Sequence, residues 1–196
     1  MRNSVVLFLM LVFCSSVWAQ PVRPKISKLP LELEKETNFL NPEFLVYSLY
    51  PPNTKNVPLV IYLHGAGGVG EDINRIKGQP MGVCRGIEKF KKGPCIIVAP
   101  QCLRTSKEGK RGIWNEQDLN VLFQHLKATV PMDENRVYLT GNSMGGHGSW
   151  MWGGSNPEHF AAIAPIVGGI GPGGPKDITD ELTTWARNLA KVPAYA

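Results

Sequence analysis

The chain has 196 residues, 43% of them hydrophobic and 19% charged, an ordinary globular mix that excludes disordered and fibrous classes and suits one domain with a sizeable core. The formal net charge of +5 comes from dispersed basic residues, densest at Lys89, Lys91 and Lys92 and over residues 104–111. These read as solvated loop faces, so no nucleic acid partner is expected, and no apolar run reaches the ~20 residues of a membrane span.

In chain order, the first element is an address. Arg2 gives a positive start, residues 5–14 form an apolar core, and Val17 and Ala19 stand at the −3 and −1 positions of a cleavage site before Gln20. Residues 1–19 are therefore expected to be a signal peptide, residues 20–196 the folded domain, and the protein secreted or periplasmic. Residues 44–50 predict a strand stopped by Pro51 and Pro52. Residues 57–63 predict a second, apolar enough to be buried on both faces, and residues 95–99 a third, ended by Pro100. Asn115 reads as a helix cap, with Leu119, Leu122, Phe123 and Leu126 forming one apolar stripe behind it. Then follow a strand over 136–140, a helix over 145–155, a strand over 161–167, a helix over 182–189, and residues 192–196, which begin like a further strand. This alternation predicts a mostly parallel sheet with helices on both faces. After position 19 the cysteines are Cys84, Cys95 and Cys102, which allow at most one disulfide; without a C-x-x-C or Cys/His pairing no metal site is expected.

Two glycine motifs bear on function. Residues 65–70, GAGGVG, satisfy the G-x-G-x-x-G pattern of dinucleotide sites. That chemistry needs an acidic residue at the end of the next strand for the ribose, where this chain has Pro100 and Gln101, and Glu71 and Asp72 stand too near to serve. Residues 141–145, GNSMG, match G-x-S-x-G and lie between a strand and a helix-compatible segment, the setting of a nucleophile elbow. Such a turn forces a strained backbone on the serine, here Ser143, lifts its Oγ above the carboxyl edge of the sheet, and aims a helix N-terminus at developing negative charge. The first glycine loop then supplies a second donor to the same site, so one chemistry accounts for both motifs.

Residues 59–68 (LVIYLHGAGG), 136–146 (RVYLTGNSMGG) and 160–165 (FAAIAP) together resemble the α/β-hydrolase superfamily. Within it they are most similar to secreted esterases of the phospholipase/carboxylesterase, dienelactone hydrolase-like, polyhydroxybutyrate-depolymerase-like and predicted peptidase group. The resemblance covers about residues 40–196. It implies Ser143 as nucleophile, with the N–H groups of Met144 and Ala66 (or Gly67) as oxyanion donors, and no cofactor or metal.

The triad departs from the pattern. Chain order in this superfamily is serine, then acid, then histidine, the last two following strands that would come after residue 196. After Ser143 the chain has only His147, expected to follow the surface of the elbow helix, and His159, expected at the surface. His125 is expected to be solvated, His64 to shape the glycine loop through hydrogen bonds, and Asp177, Asp180 and Glu181 to serve a helix start. No acid or base is assigned. The expectation is a partial α/β-hydrolase domain missing its last strands: a serine hydrolase of carboxylic esters, small or polymeric, with little activity as this chain alone. The alternatives are a serine peptidase of the same fold and a non-catalytic exported domain.

Overall fold

The computed structural model describes residues 22–51, 53–91, 93–170 and 179–196, so the expected signal peptide and Asp177 lie outside the described residues. Its centre is a six-stranded sheet of spatial order β1-β2-β4-β3-β5-β6. The strands are β1 (Lys25–Lys28), β2 (Leu40–Leu49), β3 (Val57–Leu63), β4 (Cys95–Cys102), β5 (Met132–Asn142) and β6 (Ala162–Ile166). β1 and β2 run antiparallel to each other and β2 antiparallel to β4, whereas β4, β3, β5 and β6 are mutually parallel. Every residue of β3 and β4 is buried, as expected of apolar runs covered on both faces.

One face carries α1 (Leu31–Glu36), α3 (Glu116–Thr129), α4 (Met144–Ser155) and α5 (Asp180–Leu189). Its core joins Leu59, Ile61 and Leu63 of β3 to Leu119, Leu122, Phe123 and Leu126 of α3 and Trp152 of α4. Asn115 caps α3, its side chain accepting from the Asp118 N–H at 3.1 Å. The opposite face is covered by a 3-10 turn (Ile73–Ile76) and α2 (Met81–Gly86), whose Ile73, Ile76 and Cys84 pack on Tyr47, Val60, Tyr62 and Ile97.

The pattern missed β1, α1 and the helical segment of residues 73–91, all short and without a sustained apolar period. The expected strand at 192–196 is reduced to one parallel bridge, Ile163 to Ala194, flanked by Ile163 N–H donating to Pro193 O (2.9 Å) and Tyr195 N–H to Ile163 O (3.0 Å). Cys84, Cys95 and Cys102 are all free and buried, which holds their thiols up at about 11, 11 and 12. Among the described residues no helix is long and apolar enough to cross a membrane.

Candidate active site

β5 ends at Asn142 and α4 begins at Met144, leaving Ser143 alone to turn the chain, with φ 54° and ψ −112°. Positive φ in a residue with a side chain costs on the order of 1–3 kcal/mol and persists only where the surroundings enforce it. They do so here from both sides. The Ser143 N–H donates to Ile166 O (2.9 Å) at the end of β6, and Ser143 O accepts from the His147 N–H (3.0 Å) in the first turn of α4. Gly145 allows the close approach, because a Cβ there would drive into the carbonyl of Leu63 at the end of β3. The result leaves Ser143 exposed at the carboxyl edge of the sheet.

The glycine loop follows β3 and lies against this turn. A Cβ on Gly65 would stand 3.6 Å from Ser143 Cβ and 3.1 Å from Asn142 O. Residues Ala66–Gly68 form a single 3-10 turn, not the longer helix that a dinucleotide site requires. Ala66 opens that turn and Met144 opens α4, so neither N–H has an acceptor within its own helical segment.

His64 sits beneath the loop, fully buried. Its Nδ1 lies 2.7 Å from Gly65 O and its Nε2 accepts from the Cys102 N–H at 2.9 Å, which assigns the proton to Nδ1. Burial, partly offset by the Gly65 bond, holds its pKa down to about 4, so the ring is neutral at physiological pH. Trp114 lies beside it with ring centroids 4.7 Å apart, and donates Nε1–H to His64 O (3.0 Å). The expectation that His64 shapes the loop thus holds. His147 lies on α4 as expected, with Nδ1 2.6 Å from Gly169 O.

Two histidine expectations need correction. His159 is half-buried rather than a surface residue: its ring packs on Phe123 (4.6 Å between centroids), Phe160 and Trp152. His125 is half-buried rather than solvated, edge-on to Phe44 at 5.9 Å. Among the described residues, none of the four histidines is hydrogen-bonded to Ser143 Oγ, and no cluster of three or more metal-ligating side chains occurs.

Beside the serine, Met144, His147, Gly148 and Met151 of α4 form one wall of an apolar cavity of about 160 Å³, closed by Ile113, Trp114 and Trp185. Sequence reading missed this cavity, since its walls come from three separate segments. It also missed Gln101 and Asn41, buried polar side chains behind the glycine loop. The one available signal was a glutamine closing the otherwise apolar run of β4.

A serine at a strained strand-to-helix turn on a mostly parallel sheet of this order is the architecture of the α/β-hydrolases. The chain belongs to the Esterase family, whose model, described as "Putative esterase", matches residues 37–192. Among curated proteins, "Probable feruloyl esterase C" of Aspergillus terreus is 25% identical over 118 residues, 60% of this chain and 43% of that protein. Among solved structures, a thermostable esterase is similar at 25% identity and TM-score 0.56, over 89% of this chain and 54% of that one. The fold also matches a feruloyl esterase module from Clostridium thermocellum complexed with sinapinate, at 19% identity and TM-score 0.56, over 88% of this chain and 63% of that one. The chain spans less than two thirds of the length of each of these relatives.

Proposed function

We propose that the protein is an exported serine hydrolase of carboxylic esters, with Ser143 as nucleophile and the N–H groups of Met144 and Ala66 as oxyanion donors. The observation that carries this reading is the enforced positive φ of Ser143 beside the glycine loop. Ser143 Oγ attacks the ester carbonyl carbon and gives its proton to a general base. The negative charge moves to the carbonyl oxygen, where two unsatisfied N–H groups and the start of α4 receive it; one such donor is worth roughly 3–4 kcal/mol of barrier. Collapse breaks the bond to the alcohol, which takes the proton, and water repeats the attack on the acyl-enzyme to release the acid. A neutral Ser143 is a weak nucleophile without that base.

The cavity beside Met144 favours an apolar acyl group, and its Trp114 and Trp185 walls suit a flat ring. The likeness to a feruloyl esterase points to an aromatic acyl group of the hydroxycinnamoyl kind, on a small or polymeric alcohol. The test is hydrolysis of p-nitrophenyl acetate and methyl ferulate by the protein as its gene encodes it. Ser143→Ala is expected to lower kcat/KM about a thousandfold or more. Equal rates in the two proteins would overturn the reading.

A further inference from the structure

We propose that Gln101, held in place by Asn41, is a positioning residue that fixes the oxyanion loop from behind; this rests on the serine hydrolase reading above. Gln101 is the penultimate residue of β4 and is fully buried, and Asn41, near the start of β2, is almost so. The Gln101 Nε2 donates to Gly68 O and to Asp72 O, both at 2.9 Å. Its Oε1 accepts from Asn41 Nδ2 at 2.7 Å, and that same amide also donates to Glu71 O at 3.1 Å. Asn41 is itself oriented by the Glu43 N–H, which donates to its Oδ1 at 3.0 Å. Two side chains thereby bind three carbonyls of one loop.

The arrangement has a direction. Ala66–Gly68 is one tight turn, closed by the Gly68 N–H on Gly65 O at 2.9 Å. Gln101 grips the carbonyl of the last residue of that turn, and Ala66, the first, carries the N–H assigned to the oxyanion. A rotation of the Gly68 peptide therefore turns the Ala66 N–H as well. His64 closes the turn from the other side: a Cβ on Gly68 would lie 2.6 Å from its ring, and its Nε2 is held by Cys102, the neighbour of Gln101. Two further anchors are the Gly70 N–H, which donates to Cys102 O at 3.0 Å and so also ties the loop to the end of β4, and Arg75 Nε to Gly67 O at 3.1 Å, which is exposed, where water replaces it readily. The end of β4 is thus the rigid reference against which the donor is aimed, and a donor displaced by a fraction of an ångström loses much of its effect.

The test compares Gln101→Met, similar in size but unable to bond, with the wild type of the full protein. Amide hydrogen exchange over residues 65–72 is expected to quicken at least tenfold, with the rest of the sheet unchanged. Hydrolysis of p-nitrophenyl acetate is expected to lose about 10- to 100-fold in kcat while KM stays within about threefold, the mark of an interaction made in the transition state. Should Gln101→Met not fold, Asn41→Ala carries the test, with changes of the same sign and smaller size. Unchanged exchange in the loop overturns the bracket. Faster exchange with unchanged kcat, or a loss that falls wholly on KM, overturns the positioning role. A wild type that hydrolyses no ester sinks the serine hydrolase reading and the catalytic part of this proposal with it, an outcome distinct from failure of the bracket alone.

Discussion

The two loops that meet at the site are held by opposite means. The turn at Ser143 is held by backbone: the carbonyl of Ile166 takes its N–H, the N–H of His147 takes its carbonyl, and Gly145 lets Leu63 O approach where any side chain would collide. The loop at Ala66 is held mainly by side chains: Gln101, Asn41 and Trp114, brought from far along the chain, and His64 at the loop's own start. A backbone clamp fails when an atom is added. A side-chain clamp fails when a hydrogen bond is removed or a proton is gained. The two halves of the proposed catalytic device should therefore respond to different perturbations.

The largest effect is expected from Gly145→Ala. Its Cβ would meet the carbonyl oxygens of Leu63 and His64, backbone atoms with no flexibility to yield, so a loss of roughly 3–5 kcal/mol in urea unfolding is expected. A loss under ~1 kcal/mol would show that the elbow backbone is not the clamp. The second perturbation is a proton on His64. Its pKa lies near 4 in the folded protein against an ordinary 6.5, so the unfolded chain takes up the proton first as pH falls. The stability carried by the neutral ring is complete above pH 6.5 and is lost as pH drops toward 4, ~3 kcal/mol in all. Burial depresses the pKa of His125 and His159 too, with the same sign, so the informative quantity is a difference. Between pH 7.5 and 4.5, His64→Gln should lose about 2 kcal/mol less than wild type; parallel curves would remove the proton from the account. The smallest effect is a gain. Ser143→Gly relieves the positive φ and should raise stability by about 1 kcal/mol, read as a higher urea midpoint at constant slope. A lower midpoint would mean that the serine side chain itself contributes to the fold.

This contrast also explains what could be read from the sequence. The elbow was legible because its clamp consists of glycines at fixed spacing around Ser143, a local pattern that any strand-to-helix turn of this kind requires. The strands β3, β4 and β5 were legible as apolar, β-branched runs, and α3 as a stripe behind Asn115. The clamp on Ala66 was not, because Asn41 and Gln101 lie 60 residues apart in sequence and only the sheet order brings β2 beside β4. His159 was misread for a similar reason: its neighbours Phe123 and Trp152 belong to α3 and α4, and nothing near it in sequence announces an aromatic pocket. β1 and α1, with four and six residues, carry too few positions for a period to show.

The central claim is that Ser143 is the nucleophile of an acyl-transfer reaction. The most direct measurement is reaction of the protein with a fluorophosphonate, followed by intact-mass and peptide-mass mapping of the adduct. The account predicts one adduct, on the peptide that carries Ser143, and none in Ser143→Ala. No adduct in the wild type, or an adduct of equal extent in the variant, would contradict it.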